Sequence, residues 1–522
     1  MSLSVSSASR DPLASGAPTK VITFTESSDP RIDGLLTYYK WYGNRITYGD
    51  PDGASDYQSD YPWPLPDLGH VSEDQLRVAR TALDADPFDQ PPGAAGLSVE
   101  GFTNLGIGYA AAAPGGATIR FANSSDPETA YAFPPDYDEL AGDAFFGGSG
   151  RFPVAGNYDY QTTLHELGHT LGLKHGHEKV DHGALPANVD SLEYSVMTYR
   201  SYIGGPTDGY TNERIGYPQT YMMLDIAALQ YLYGADFTTN ADATIYHWSP
   251  RSGEMTVNGE VALTPGDNRI FSTIWDGGGV DTYDLSAYGT DMVINLAPGK
   301  HSTFSEWQLA YLGGGRNDGY ARANVFNALR YKDDPRSLIE NAIGGAGADA
   351  ITGNVARNRL EGGPGDDRLN GAEGRDTLFG GDDVDRLRGG AGDDWLDGGH
   401  DADRLIGGAG ADRFEFTSAA WSRPGRSDIL AAGDGGAAFD APGAAPGDRI
   451  DLRDIDANST RNGDQAFVFG DGKGTGRLWL ANEGSVTHVY GNIDRDAAPE
   501  LDIRIADGAV RASAYTAEDF YL

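Results

Sequence analysis

From Gly344 to Glu415 the chain repeats with a period of nine residues. Eight units follow one another: GGAGADAIT, GNVARNRLE, GGPGDDRLN, GAEGRDTLF, GGDDVDRLR, GGAGDDWLD, GGHDADRLI and GGAGADRFE. A fixed period limits a fold severely, because every unit must offer the same surfaces to its neighbours. The eighth position is always apolar: Ile351, Leu360, Leu369, Leu378, Leu387, Leu396, Leu405 and Phe414. The sixth is aspartate in seven units (Asp349, Asp367, Asp376, Asp385, Asp394, Asp403 and Asp412) and asparagine, Asn358, in the second. A low-complexity linker does not keep such a phase. The glycines allow tight turns. The eighth-position side chains are expected to stack inward from short strands, with aspartates and turn carbonyls facing one another across the loops. Hard oxygen donors so arranged suit Ca²⁺. Candidate ligands in the turns are Gly345, Gly347, Gly363, Gly365, Gly374, Gly381, Asp383, Gly390, Gly392, Gly399, Asp401, Gly408 and Gly410, with the seven aspartates. Without a cation the carboxylates repel and one apolar residue per turn is buried, so the repeat should be unfolded in a calcium-poor cytosol and fold outside. The second unit, with Asn354, Ala356 and Asn358 in place of glycine, glycine and aspartate, reads as a weakly binding terminal turn.

A second stretch carries different chemistry. Residues 165–175 read HELGHTLGLKH, three of the ten histidines in the chain. On a helix, His165 and His169 lie one turn apart on one face. Two imidazoles at that spacing hold a single Zn²⁺, and the carboxylate of Glu166 stands beside them as a base for water. Gly172 can turn the chain back so that His175 becomes a third ligand. Three protein nitrogens leave one position open, the arrangement of a catalytic zinc. Leu164, Leu167 and Leu171 are placed to pack on the far side of this helix.

The remaining chain divides by texture. Residues 1–20 read as a flexible tail or pro-segment, and 21–236 as a mixed α/β unit. In that unit SEDQLRVARTALDA (72–85) is a helix with a Ser72–Gln75 capping box and a Leu76, Ala79, Leu83 stripe. Strands are expected at the end of 32–51, over 117–122 and over 129–133. TYMMLDIAALQYLYG (220–234) is a helix with Thr220 as N-cap and Gly234 as its stop. Residues 237–343 form a β-rich connection, 344–415 the repeat and 416–522 a further β region. There is no cysteine, so no disulfide framework or cysteine metal site. A net charge of −38 argues against nucleic acid as a partner. No apolar run approaches the ~20 residues of a membrane span, and the N-terminus lacks the apolar core of a Sec signal peptide.

HELGHTLGLKH resembles the metzincin zinc-peptidase signature HExxHxxGxxH, and SVMTY (195–199) resembles its methionine turn, with Met197 beneath the metal. The nonapeptides resemble the RTX repeat of calcium-binding parallel β-rolls, which implies that alternate units lie on the same side of a roll and that each site joins units eighteen residues apart. Together they resemble the serralysins, secreted bacterial zinc endopeptidases. The resemblance implies an α+β metzincin catalytic domain, a twisted five-stranded sheet with a long zinc helix, followed by an all-β C-terminal domain of parallel β-roll and β-sandwich. It implies one catalytic zinc on His165, His169 and His175, Glu166 as general base, and Tyr199 beside the metal as an oxyanion donor and possible further ligand. It implies several structural calcium ions, and a further calcium segment, IWDGGGVDTYDLSAY (274–288), with Asp276, Gly278 and Asp281 as ligands and Arg251 and Gly253 contributing backbone oxygens. The strand Tyr131-Ala132-Phe133 would be the cleft edge on which an extended substrate lies. Protein or peptide substrates, type I secretion machinery and a dedicated proteinaceous inhibitor are the implied partners of a secreted, extracellular monomer. The last five residues, Glu518 to Leu522, match an export signal of acidic followed by apolar residues. The chain departs from the family after its third histidine, where Gly176 and His177 replace the usual proline; His177 and His182 are expected at the surface. A non-catalytic calcium-dependent RTX adhesin or surface-layer component is the alternative class, against which the five-position zinc motif stands; a lipase would need a GxSxG elbow, which is absent.

Overall fold

The computed structural model of the chain describes residues 20–57, 61, 66–85, 93–433, 436–444, 447–508 and 510–522. Residues 20–236, apart from 93–96, gather into one unit; 93–96 and Phe237–Leu522 gather into a second. The expected N-terminal tail lies outside the described residues, save Lys20. No helix among those described is long and apolar enough to cross a membrane.

The first unit holds a five-stranded sheet of β1 (Arg45–Gly49), β2 (Gly106–Tyr109), β3 (Ile119–Asn123), β4 (Ala130–Ala132) and β5 (Asp143–Phe146), in the order β2-β1-β3-β5-β4. Only β4, at one edge, runs antiparallel to its neighbour. Helix α1 (Glu73–Leu83) starts at the Ser72–Gln75 capping box and buries Leu76, Ala79 and Leu83. Helix α2 (Tyr158–Thr170) carries the zinc motif, and Asn157 caps its first turn by accepting from the Tyr160 amide. Helix α3 (Met223–Tyr233) ends at Gly234, where φ is +84°. It starts later than its sequence suggests. Met222, not Thr220, is the N-cap, because the Asp225 carboxylate reaches back to the Met222 N–H while the Thr220 hydroxyl bonds the Tyr221 carbonyl.

In the second unit the eight repeats alternate between two sheets. Odd units enter a ten-stranded sheet and even units an eleven-stranded one. Register places Ile351, Leu369, Leu387 and Leu405 side by side in the first, and Leu360, Leu378, Leu396 and Phe414 in the second. All eight are buried. These columns do not stop at the repeat. Ile294 precedes Ile351, and Leu430 and Ile505 follow Leu405. Tyr246, Tyr283 and Ala342 precede Leu360, and Ile450 and Phe520 follow Phe414. The regions before and after the repeat therefore continue its two sheets with ordinary apolar sequence. Turns stack closely enough that some positions accept only glycine: Gly392 has φ +134°, and a Cβ there would fall on the Gly374 carbonyl.

A column of single leucines makes each one count. Leu387→Ala, between Leu369 and Leu405, should destabilise the second unit by about 2–5 kcal/mol. Val384→Ala, at an exposed turn position, should change it by less than about 0.5 kcal/mol. Denaturant unfolding of the full chain in calcium measures both; equal losses would show that the columns do not hold the unit together.

Candidate metal centres

Helix α2 ends in a turn that its neighbours stitch in place. The carbonyls left unpaired at a helix C-terminus need partners. Here the Trp41 indole N–H donates to Thr170 O at 2.8 Å, the Tyr233 hydroxyl to Leu171 O at 2.7 Å and the Thr37 amide to Gly172 O at 3.0 Å. Gly172, at φ +106°, reverses the chain and returns His175 to the helix. The Nε2 atom of His175 then lies 3.1 Å from the Nε2 of both His165 and His169.

The far side of each ring decides what those nitrogens are. His165 Nδ1 lies 2.8 Å from the Val196 carbonyl and His169 Nδ1 2.8 Å from the Leu173 carbonyl. A carbonyl only accepts, so both Nδ1 atoms carry the proton and both Nε2 atoms present lone pairs. His175 Nδ1 faces Glu178 Oε1 at 3.1 Å, with the same consequence. Three lone pairs at this separation repel unless a cation lies among them. Burial and the neighbouring rings push His169 down to about 3 and His165 well below the usual histidine range, so neither of these rings readily takes up a proton. The donor set fits Zn²⁺, which takes neutral imidazoles.

Glu166 is buried, and its Oε2 has no hydrogen-bond partner. Burial pushes its carboxyl up to about 8; a divalent charge beside it would favour the carboxylate. Glu166, His165 and Tyr199 line one cleft of about 670 Å³ together with Ala130, Tyr158 and Tyr210. The Tyr199 ring sits 4.4 Å from that of His175 and 5.6 Å from that of His165, between centroids. Burial holds its hydroxyl protonated.

Met197 is fully buried beneath α2, and its Sδ would meet a Cβ placed on Gly168. A residue the motif does not mark controls this turn. The buried carboxylate of Asp225 accepts from Ser195 Oγ at 2.6 Å, from the Val196 amide at 2.8 Å and from the Met222 amide at 2.9 Å. It thereby fixes Val196, whose carbonyl orients His165, to the first turn of α3. An aspartate in the first turn of a helix is an ordinary sequence feature, so only the fold reveals this role. His177 and His182, expected at the surface, are half-buried. The His182 side chain is 10% exposed, packed on the rings of Phe24 and Tyr38, with Nδ1 on Glu26. The His177 ring lies 5.0 Å from Tyr199, and its Nδ1 is buried without a partner. Of the expected substrate residues Tyr131, Ala132 and Phe133, none lines the cleft: Tyr131 and Phe133 pack toward Phe145, and it is Thr129 and Ala130, just before them, that face it.

The repeat builds a second kind of site. From the third unit on, each sixth-position aspartate uses Oδ1 to accept the amide of the sixth residue two units earlier; Asp349, in the first unit, accepts from the Met292 amide at Oδ1 and the Gly345 amide at Oδ2. Asp349 N donates to Asp367, Asp367 N to Asp385, and Asp385 N to Asp403, at 2.7–2.8 Å. Asn358 N to Asp376, Asp376 N to Asp394, and Asp394 N to Asp412 form the parallel ladder. The ladders run on to Asp428 and Asp448, outside the nine-residue period. The other oxygen, Oδ2, is buried and unpartnered in Asp367, Asp376, Asp385, Asp394, Asp403 and Asp412. Each lies in a cradle floored by glycine: a Cβ on Gly389 would strike Asp394 Oδ2 and the Gly407 carbonyl. Burial pushes these carboxyls up, Asp385 to about 9 and Asp412 to about 8. Orphaned carboxylate oxygens beside turn carbonyls fit a hard cation such as Ca²⁺.

Individual turn positions differ. Glycines 363, 365, 374, 381, 390, 392, 399, 408 and 410 all have positive φ, and Asp383 and Asp401 adopt φ +75° in the same role. Asp401 spends its carboxylate on Arg426. Asn354 and Asn358 present amide protons where the units from the third on present bare oxygens: Asn358 Nδ2 donates to Glu340 O at 2.8 Å, and Asn354 Nδ2 to Ile339 O at 2.7 Å and Leu296 O at 3.1 Å. In the segment before the repeat, Asp276 accepts from Tyr246 Oη and Gly278 N, Asp281 Oδ1 accepts from Thr244 N, and Asp281 Oδ2 is again orphaned. Glu340 accepts from the Asp281 amide, and the Asp242 carbonyl approaches Gly279 beside Asp281. Arg251 and Gly253 do not join this cluster. They occupy the turn beyond Trp248, at the far end of the strand Ile245–Trp248 from Thr244. Asp242, Thr244 and Glu340 stand where those two were expected.

The family model described as Peptidase M10 serralysin C terminal matches residues 235–515. The chain belongs to the serralysin family. Serralysin G of Dickeya chrysanthemi is 34% identical over 267 residues, 47% of this chain and 49% of its own. The serralysin of Proteus mirabilis is 34% identical over 266 residues, 46% and 47% of the two chains. That of Photorhabdus luminescens is 28% identical over 402 residues, 66% and 73%. This chain thus spans about half the length of the first two. Among solved structures, the AlgE6R2 subunit of the Azotobacter vinelandii mannuronan C5-epimerase matches 34% of this chain and 91% of its own at 22% identity, with a TM-score of 0.22.

Asp225→Ala leaves the Ser195 hydroxyl and the Val196 and Met222 amides without their buried acceptor. It should destabilise the first unit by on the order of 3 kcal/mol, whereas Asp225→Asn, which keeps an acceptor oxygen, should lose less. Thermal unfolding by near-UV circular dichroism compares them; equal stability of Asp225→Ala and wild type would refute the tether.

Proposed function

We propose that the chain is a secreted zinc-dependent endopeptidase whose C-terminal unit folds with calcium. The observation that carries the reading is the convergence of three Nε2 lone pairs beside the unpartnered Oε2 of Glu166, in a cleft open to substrate. A zinc ion on His165, His169 and His175 would supply Lewis acidity, lowering the pKa of water and polarising a peptide carbonyl. Glu166 accepts a proton from the attacking water at Oε2 and passes it to the departing amine nitrogen. The Tyr199 hydroxyl, held protonated, donates to the oxygen that gains charge in the tetrahedral state. Met197 and the Asp225 tether keep His165 in place from below. An extended peptide lies along β4, the outer strand, with Thr129 and Ala130 at the cleft and Tyr131, Ala132 and Phe133 continuing the edge.

The ladders of the second unit would take up several calcium ions on Asp349, Asp367, Asp376, Asp385, Asp394, Asp403 and Asp412, with turn carbonyls completing each shell. A further ion suits Asp276 and Asp281, with Glu340 beside them. Export by type I machinery would occur before folding, since Phe520 pairs into the eleven-stranded sheet and Asp519, in the turn before it, is buried. A proteinaceous inhibitor filling the cleft would fit the same extracellular setting.

Glu166→Gln should retain zinc and fold but lose about 10²–10⁴-fold in casein hydrolysis. Turnover near wild type would rule out the assigned base.

The full chain titrated with calcium should gain β-signal in far-UV circular dichroism, and Mg²⁺ should not replace it, because its shell is tighter and keeps its waters. Asp394→Asn should raise the calcium midpoint, whereas Asn358→Ala should not. In chelator, the raised aspartate pKa values should weaken the folded unit as pH climbs from the unfolded value of about 4 through the window up to about 9 set by Asp385. Calcium must displace those protons, so its midpoint should be lower at pH 8 than at pH 6. A second unit fully folded in excess chelator at pH 8 and indifferent to Asp394→Asn would overturn the calcium reading.

A further inference from the structure

The three histidines of the centre are not held alike. His165 and His169 each give their Nδ1 proton to a backbone carbonyl, Val196 O and Leu173 O, at 2.8 Å. His175 gives its proton to a carboxylate, Glu178 Oε1, at 3.1 Å. Glu178 lies three residues further on in the same turn, and its own amide donates to the His175 carbonyl at 3.2 Å. It forms no ion pair with lysine or arginine among the described residues; its carboxylate faces His175.

The loop that carries Glu178 is pinned. Lys174 is 4% exposed, and its ammonium donates to Gly34 O at 2.7 Å, Glu178 O at 3.0 Å and Gly183 O at 2.6 Å. A buried ammonium needs such partners, and three carbonyls from two distant segments leave the loop little freedom. The Gly176 amide bonds Met197 O at 3.2 Å, and the Leu185 amide bonds Gly176 O at 2.7 Å. The third ligand is thus seated between the methionine turn and a lysine clamp. His177 stands beside it with an unpartnered Nδ1, and Glu178 nevertheless bonds His175.

We infer that Glu178 is a positioning residue for the third zinc ligand, fixing the ring of His175 and raising the donor strength of its Nε2. The inference rests on the zinc reading above. A charged acceptor makes the Nδ1–H bond charge-assisted and shifts electron density toward the opposite nitrogen. The two carbonyl acceptors orient their rings but bring no net charge. Glu178 therefore makes His175, the ligand on a loop, bind as firmly as the two ligands on the helix. Lys174 acts one step further out, by holding the turn in which Glu178 can reach His175.

Zinc affinity of the full chain at fixed calcium, measured by competition with a chromophoric chelator, tests this. Glu178→Ala removes acceptor and charge and should weaken zinc binding by about 10–100-fold. Glu178→Gln keeps an acceptor oxygen without the charge and should lose less than Glu178→Ala but more than nothing. The melting temperature of the zinc-free protein in calcium should be the same in wild type and Glu178→Gln, because the charge is needed by the bound ion. Wild-type protein that takes up no zinc would overturn the zinc reading and this inference together. Wild type that binds zinc while both variants match it would overturn the inference alone. So would a Glu178→Gln variant whose zinc-free melting temperature falls in step with its zinc affinity, since that marks a purely structural contact.

Discussion

Groups that repel one another are held together in this protein by giving one atom of each to the chain itself. In the first unit the three imidazoles spend Nδ1 on Val196, Leu173 and Glu178, and their Nε2 atoms meet at 3.1 Å. In the second unit the sixth-position aspartates from Asp367 to Asp412 spend Oδ1 on backbone amides eighteen residues away, and Oδ2 is left buried. The same division of labour makes two different sites. Neutral nitrogens in a tight cluster suit a compact soft-to-borderline ion with an open position. Carboxylate and carbonyl oxygens in larger cradles suit a hard ion with a flexible shell.

This arrangement explains why neither site is a local property of its motif. Val196 holds His165 only because Asp225, on another helix, accepts from its amide. His175 returns to the helix because Trp41, Tyr233 and Thr37 take up the carbonyls that α2 leaves open. In the roll, each carboxylate is aligned by a neighbour two turns away, and the ladders reach Asp428 and Asp448 where no repeat is visible. The asparagines of the second unit show the complementary case. Their side-chain amides satisfy carbonyls directly, so that turn closes with protons where its neighbours present bare oxygens.

Much of this is legible in the residues alone. The apolar eighth positions of the repeat, read as an inward stack, reappear as two buried columns with the expected eighteen-residue register, from Ile351 to Phe414. The Ser72–Gln75 box and the Gly234 stop sit where side-chain chemistry puts them. The displaced assignments share a cause. Thr220, His177 and His182 are read from neighbours in sequence and Arg251 and Gly253 from resemblance, and each is decided by residues elsewhere in the fold: Asp225 for the start of α3, the strand Ile245–Trp248 for the two turn residues, and Phe24, Tyr38 and Tyr199 for the histidines.

The sequence by itself determined the donor types and their spacing: imidazoles one helical turn apart, a carboxylate between them, and aspartates and leucines locked to a nine-residue period. Those follow from backbone geometry, which has fixed periods and needs no partner to be read. Only the tertiary structure decided which atom of each donor is spent and which is left bare, because that depends on acceptors and amides brought from elsewhere: Val196 for His165, Asp225 for Val196, Glu178 under the clamp of Lys174 for His175, and the next turn but one for the sixth-position aspartates from Asp367 to Asp412.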